Sequence, residues 1–137
     1  IDDLHERAGS RNVLHLHGEI FKMRSVKDES LISEIREDMK IGDLAPDGFQ
    51  QRPHIVWFEE PVPLIEEAGK IMSTADIFIL IGTSLQVYPA AGLIHYLPVD
   101  IPKYIIDKKI PNVSGITQTT FFEMSATEGM KKIMDLL

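Results

Sequence analysis

The sequence predicts an α/β protein built on a parallel β-sheet, and three features lead to this prediction. Residues 77–82 form an apolar run without polar alternation, which is typical of a strand covered on both faces. From Pro61 onward, helix-like and strand-like segments alternate, as they do where right-handed crossovers join parallel strands. Residues 20–50 interrupt this alternation with a polar, charged composition, which indicates a small module inserted beside the sheet.

Local patterns place the individual elements. Apolar and β-branched segments predict strands or extended segments over residues 12–17, 20–24, 54–58, 77–82, 103–107 and 120–124. Capping residues and the helical spacing of apolar residues predict helices over residues 3–8, 28–39, 61–72, 89–96 and 127–137.

The helix over residues 28–39 is the main predicted element of the inserted module. Asp28 or Ser30 can serve as its N-cap. Its apolar stripe, joined by two nearby aromatic residues, is the expected core of the module. These core residues are Leu31, Ile32, Ile35, Phe21 and Phe49.

Three parallel strands with their helices make the C-terminal part of a doubly wound, Rossmann-like domain. We assign residues 1–19 and 51–137 to this partial domain and residues 20–50 to the inserted module. Because half of such a sheet leaves an apolar edge open, we expect a homodimer or a domain swap. The chain begins with Ile1 rather than Met, and we expect it to be a fragment without its N-terminal portion.

Composition excludes several classes of function. A net charge of −7 argues against a nucleic-acid partner, since proteins that bind the phosphate backbone carry a basic face. The absence of cysteine excludes disulfides, thiolate catalysis and cysteine-based zinc sites, and the five histidines show no tight ligand spacing, so we expect no metal. No apolar run approaches the length of a membrane span and no signal peptide is visible, so we expect a cytoplasmic protein without a membrane partner.

The turn Gly82-Thr83-Ser84 ends the apolar run and is the first candidate site. In open parallel sheets, ligands bind outside the carboxyl ends of the strands. Glycine there lets a ligand approach the backbone, and two hydroxyls can bond a phosphate or a ribose. The alternative is an ordinary strand-to-helix turn in which Ser84 caps the next helix.

Four segments in this order resemble the sirtuins, the NAD-dependent protein lysine deacylases, and resemble the bacterial members most. They are IDDLHERAG at 1–9, LHG at 16–18, RPHIVWFEE at 52–60 and GTSLQVYPAA at 82–91. Together they reach from the first residue into the predicted sheet.

The resemblance implies that His17 is the catalytic base, which takes a proton from a ribose hydroxyl of the cofactor NAD. The alternative is a partly buried histidine at a strand end. The residues that the resemblance assigns to NAD are Ile1 and Asp2 for the nicotinamide, Gly82, Thr83 and Ser84 for the adenosine and phosphates, Asp107 for the adenine ribose and Ala126 for the adenine. Asp107 stands where many sirtuins carry asparagine.

Two further segments resemble those between which the acyl-lysine peptide inserts as an added strand. They comprise Val56, Trp57, Phe58, Glu59 and Glu60, and Leu85, Gln86 and Val87. The alternative is that both are ordinary core segments. Glu59 departs from the family, which usually has glycine there, and we expect its side chain to narrow or redirect the peptide groove.

The function implied is NAD-dependent deacylation of lysine in the intact protein, with transfer of the acyl group to ADP-ribose and release of nicotinamide. We expect little or no turnover from this chain alone, because the glycine-rich segment that cradles the NAD phosphates in sirtuins is not in it. The zinc-binding cysteines of most sirtuins are also absent. Two other functions stay open: a non-catalytic nucleotide-binding or interaction module, and an NAD-dependent ADP-ribosyl transferase.

Overall fold

The computed structural model describes residues 1–35 and 37–137, which form two compact units, Ile1–Leu64 and Ile65–Leu137. Among the described residues, no helix has both the length and the apolar character needed to cross a membrane. The predicted division into residues 1–19 with 51–137 and residues 20–50 stays a prediction.

The first unit is built on an antiparallel sheet of three strands that follows a short helix, α1 (Leu4–Arg7). The strands are β1 (Gly18–Ser25), β2 (Ile32–Glu34) and β3 (Gln51–Ile55), in the spatial order β2-β1-β3. Gly18 pairs with Ile55, and the register of β1 against β3 shifts between Glu19 and Met23. This irregularity separates the part of β1 next to His17 from the part that pairs with β2.

The helix predicted over residues 28–39 is wrong where the structure describes it, and Arg36 lies outside the described residues. The Asp28 carboxylate accepts hydrogen bonds from the Ser30 backbone N–H (3.0 Å) and hydroxyl (2.6 Å), so it closes a local turn. The same residue types that cap helices also form such turns. The chain then continues into β2 instead of a helix.

The strand predicted over residues 12–17 is also wrong. Two tight turns occupy its end, with Leu16 N–H donating to the Leu14 carbonyl and Gly18 N–H to the His15 carbonyl, both at 2.9 Å. Gly18 therefore begins β1 rather than ending a strand, and β1 contains the strand predicted over residues 20–24.

The core expected for the inserted module does not form either, because Phe21, Ile32 and Phe49 are all more than 40% exposed. A polar network holds this region instead. The fully buried Ser25 hydroxyl donates to the Asp47 carboxylate at 2.6 Å. It also accepts hydrogen bonds from the backbone N–H groups of Lys27 and Asp28. The Lys27 ammonium lies 4.3 Å from the centre of the Phe49 ring, in a cation–π contact.

The second unit confirms the predicted parallel sheet. Its elements are α2 (Ile65–Ser73), β4 (Phe78–Ile81), a 3₁₀ helix (Ala90–Tyr96), β5 (Lys103–Asp107), β6 (Thr119–Glu123) and α3 (Ala126–Met134). The three strands are parallel, in the order β4-β5-β6. The segment predicted as a helix over residues 89–96 is helical in the tighter 3₁₀ form.

The second unit buries its core between β5 and α3, where Ile105, Ile106 and Ile133 are almost completely inaccessible. Gly129 allows this contact, since a Cβ added there would lie 2.5 Å from the Ile106 side chain. The helix therefore packs closely on the central strand.

Candidate functional site

His17, the predicted catalytic residue, lies immediately before β1 and is half-buried. Its carbonyl accepts a hydrogen bond of 3.0 Å from the Val56 N–H. The candidate base is thereby joined, through the backbone, to the first residue of the predicted peptide-binding segment 56–60.

Gly18 sets this geometry because no other residue fits its position. Its φ is +79°, a left-handed conformation that costs L-residues about 1–2 kcal/mol. A Cβ added there would lie 2.2 Å from the His54 carbonyl oxygen and 2.8 Å from the Ile55 Cα, both backbone atoms. The close approach of β1 to β3 therefore requires glycine directly after His17.

Ile1 and Asp2, the predicted nicotinamide residues, lie in the same unit as His17. The Ile1 carbonyl accepts a hydrogen bond of 2.7 Å from the N–H of Ile20 in β1. The Asp2 carboxylate accepts one of 3.1 Å from the Leu4 N–H, and this bond lowers the pKa of Asp2. Both residues line a cavity of about 350 Å³ that also contacts His15, whose Nε2 lies 2.5 Å from a carboxylate oxygen of Glu6.

Segment 56–60 is held by an ion pair that the sequence did not predict. Both oxygens of the Glu60 carboxylate accept from the Arg52 guanidinium, at 2.6 and 3.1 Å. One of them also accepts from the Trp57 N–H at 3.0 Å, and the Glu60 N–H donates to the Trp57 carbonyl at 3.2 Å. The hydrogen bonds from Arg52, followed by that from Trp57, lower the pKa of Glu60 to about 2. Glu60 therefore closes a turn that leaves Trp57 and Phe58 exposed.

His54 lies beside this turn and lines a second cavity, of about 330 Å³, together with Arg24 and Val56. Burial, and then the positive charge of Arg24, lower the pKa of His54, so the neutral imidazole is favoured. Its Nδ1 is buried and has no hydrogen-bond partner among the described residues.

The residues predicted to hold adenosine and phosphates meet at the carboxyl edge of the parallel sheet. Gly82 N–H donates to the Ile106 carbonyl at 3.0 Å, and the Asp107 carbonyl accepts from Met124 N–H at 3.0 Å. Gly82, Asp107 and Ala126 therefore lie at the ends of three adjacent strands, in the order of the sheet. Gly82 has a φ of +65° and open space where a Cβ would be.

Polar groups at this edge are available to a ligand. Asp107 uses one carboxylate oxygen to accept from Lys109 N–H at 2.9 Å, and its other oxygen bonds to none of the described residues. Thr83 accepts from Leu85 N–H at 3.3 Å, whereas Ser84 is exposed and bonds none of the described residues. The alternative in which Ser84 caps the next helix is not observed, because the N-cap of the 3₁₀ helix is Pro89.

The hydroxyl of Ser125 caps α3, the helix that begins with Ala126. It accepts from the Glu128 N–H at 3.4 Å and donates to the Glu128 carboxylate at 2.5 Å. The bond from the Ser125 hydroxyl lowers the pKa of Glu128. The cap holds Ala126 at the end of β6, beside the Asp107 strand end.

The second predicted peptide-binding segment, Leu85, Gln86 and Val87, lies in the second unit, and its last two residues are exposed. The structure thus assembles two groups, each within its own unit. One consists of His17, Ile1, Asp2 and residues 56–60, and the other of Gly82, Thr83, Ser84, Leu85, Gln86, Val87, Asp107 and Ala126. Within residues 1–35 and 37–137, no three His, Asp or Glu side chains are grouped so that they could hold a metal ion.

Comparison with known proteins identifies the family of the chain. The sequence profile of the Sir2 family matches residues 1–89. The chain belongs to the Sir2 family. It is 46% identical over 143 residues to the NAD-dependent protein deacylase of Bacteroides thetaiotaomicron, covering 100% of this chain and 61% of the relative. It is 47% identical over 137 residues to that of Helicobacter pylori, covering 100% and 60%.

Solved structures of the Sir2 family have the same fold. A Sir2 homologue in complex with NAD superposes with a TM-score of 0.83 at 32% identity, covering 98% of this chain and 54% of the homologue. Sir2Tm bound to a propionylated peptide gives a TM-score of 0.79 at 28% identity, covering 98% and 60%. The chain thus spans about 60% of the length of the curated relatives it matches.

Two features of the site were missed by the sequence analysis. The pairing of Arg52 with Glu60 carries no local periodicity, although the two opposite charges, one before segment 56–60 and one at its end, were a visible signal. The close approach of Gly18 to β3 had no signal in the sequence beyond the glycine itself. It depends on β3, which lies more than thirty residues away in the sequence.

The first prediction concerns Gly18. Gly18→Ala should destabilise the protein by the left-handed cost of about 1–2 kcal/mol plus about 1–3 kcal/mol for the clash with β3. Gly48→Ala is the matched control, because Gly48 has a φ of +80° but open space at its Cβ position. Urea unfolding followed by Trp57 fluorescence measures both variants. If Gly18→Ala and Gly48→Ala lose the same free energy of unfolding, the clash with His54 is absent.

The second prediction concerns Glu60, whose folded-state pKa of about 2 lies below the ordinary value of 4.5. A carboxylate with a lowered pKa contributes stability that is fully present above the ordinary value and is lost as the pH falls through the folded-state value. Glu60→Gln should therefore unfold at lower urea than the wild type at pH 7. The difference should shrink between pH 4.5 and about 2.

The control for this experiment is Glu37→Gln, because Glu37 is exposed and has no ion pair among the described residues. If the difference in urea midpoint between wild type and Glu60→Gln does not change with pH, the assigned ion pair is contradicted.

Proposed function

We propose that the protein is an NAD-dependent protein lysine deacylase, which transfers the acyl group of a modified lysine to ADP-ribose and releases nicotinamide. The observation that carries the proposal is the hydrogen bond between His17 and Val56. It joins the candidate base to the candidate peptide segment, in the unit that also contains Ile1 and Asp2. The names of the relatives, NAD-dependent protein deacylases, support the same function.

The carboxyl edge of the parallel sheet fits the adenosine half of NAD. Open space at Gly82 lets a phosphate or ribose approach the backbone, the Thr83 and Ser84 hydroxyls can donate to it, and the other carboxylate oxygen of Asp107 can accept from ribose hydroxyls. Ala126 presents only a methyl group, which suits the flat face of an adenine. When bound, NAD supplies the ADP-ribose unit that accepts the acyl group.

His17 performs the proton transfer in this proposal. A histidine imidazole can accept a proton from a hydroxyl in one step and return it in a later one. Its backbone is fixed on both sides, by the bond to Val56 and by the constrained Gly18, so the side chain starts from a defined Cα position. Such preorganisation reduces the entropy lost on reaching the reactive geometry.

An acyl-lysine peptide is the substrate that segment 56–60 suits. The backbone N–H and C=O of Phe58 bond to no described residue, so they are available to a peptide added as a strand. The exposed side chains of Trp57 and Phe58 offer apolar surface to the aliphatic part of the lysine. The binding of a propionylated peptide by Sir2Tm supports this substrate class.

The third prediction tests the activity with the full-length gene product. It should release nicotinamide from NAD only when an acylated peptide is present, and His17→Ala should lower the rate by about 10²–10⁴-fold, the usual contribution of a general base. His95→Ala is the control, because His95 is exposed in the second unit and has no assigned role.

Mass spectrometry of the products separates the alternatives. Deacylated peptide supports the proposal, whereas ribosylated protein without deacylation would indicate the transferase. NAD binding without turnover would indicate a binding module.

We also propose that the 137-residue chain self-associates through β4. Within the described parts of the chain, β4 pairs only with β5, and its sequence, Phe-Ile-Leu-Ile, is apolar throughout. Apolar strand edges readily pair with another copy. The fourth prediction is that light scattering shows a dimer, and that Ile79→Lys shifts it toward the monomer. A monodisperse wild-type monomer would contradict the proposal.

A further inference from the structure

Glu59 has an unusual backbone conformation. Its φ is +70°, in the left-handed region that favours glycine and is strained for an L-residue. Strained residues of this kind persist only where the surrounding structure holds them, and they are concentrated at functional sites.

The surrounding turn explains how the conformation is held. Trp57 and Glu60, on either side of residues 58 and 59, are bonded to each other through their backbones, and the Glu60 carboxylate is anchored on Arg52. The two neighbouring carboxylates are therefore not equivalent. Glu60 is neutralised by its ion pair, whereas the exposed Glu59 carboxylate has no ion pair or hydrogen bond among the described residues.

Glu59 is placed where its carboxylate can interact with a bound peptide. It follows Trp57 and Phe58, which are 53% and 83% exposed, and the backbone groups of Phe58 bond to no described residue. A peptide that pairs with Phe58 would run past the Glu59 carboxylate. The net charge of −7 means that the rest of the chain adds to the attraction of a cation.

We propose that Glu59 is a specificity-determining residue that selects peptides with a lysine or arginine near the acyl-lysine. This inference rests on the proposed function. It specifies, in addition, the charge of the residues that flank the acyl-lysine in the substrate. The turn holds the carboxylate at the edge of the peptide strand, and only a cationic neighbour turns this uncompensated charge into an ion pair. A neighbouring aspartate or glutamate is repelled by the same charge, so Glu59 both attracts one class of peptide and rejects another.

The expected effect is modest because the pair would be exposed. Exposed ion pairs contribute about 0.2–1 kcal/mol, which corresponds to a preference of about 1.4-fold to fivefold for a basic over a neutral peptide. The preference should decrease in high salt, since screening acts on exposed charges.

The experiment uses the full-length gene product and three labelled acetyl-lysine peptides that differ only in their flanking residues, which are lysine, glutamine or glutamate. Fluorescence anisotropy gives the dissociation constants at low and high salt, and nicotinamide release gives kcat/KM for the same peptides. The variants are Glu59→Gln, Glu59→Gly and Glu59→Lys, with Glu37→Gln as the matched charge control in the same unit. Glu59→Gly removes the charge and the backbone strain together, so it remains informative if another variant folds poorly.

Support for the proposal requires that wild type and Glu37→Gln bind the lysine-flanked peptide best, that Glu59→Gln and Glu59→Gly lose this order, and that Glu59→Lys reverses it. An unchanged order in Glu59→Gln, or equal binding of all three peptides by the wild type, overturns it. Failure of the proposed function is a separate result, because it appears as absence of nicotinamide release from the glutamine-flanked peptide. The binding order still decides the role of Glu59 in that case.

Discussion

The approach of the Gly18 backbone to the His54 carbonyl is the constraint on which the first unit depends. At this point β1 and β3 are so close that a single added carbon would collide with backbone atoms. The residue before Gly18 is His17, and the strand opposite leads directly into Val56. One steric requirement therefore brings the candidate base and the candidate peptide segment to the same place, and the bond from Val56 to His17 completes the connection.

In the second unit, the ends of the parallel strands bring the candidate site residues together. Its parallel strands end in register, and Gly129 allows α3 to pack closely against Ile106, one residue before the candidate ribose acceptor Asp107. Residues that are far apart in the sequence thus become neighbours because they all follow a strand end. Neither unit depends on an unusual side chain. Backbone geometry positions the candidate groups, which are ordinary hydroxyls, carboxylates and an imidazole.

Much of this could be predicted from the sequence, and the failures have identifiable causes. Strand 103–107 was predicted with its observed bounds, since its β-branched centre, Ile105-Ile106, is typical of a buried central strand whatever surrounds it. The helix over 28–39 was wrong because the oxygen of Asp28 can satisfy a local turn as well as a helix end. The Arg52–Glu60 pair was missed because a hydrogen bond between side chains has no periodic signature. The left-handed φ of Glu59 also leaves no periodic pattern in the sequence. The only hint of it was the glycine that the family usually has at this position.

The network around Ser25 has a consequence for the conditions that the protein tolerates. It consists of a hydroxyl, a carboxylate and backbone N–H groups, none of which is readily oxidised. The chain also contains no thiol that peroxide or disulfide exchange could alter. A region held together by thiols would lose those bonds on oxidation. The hydrogen-bond network around Ser25 and Asp47 should instead keep its structure whatever the redox state of the solution.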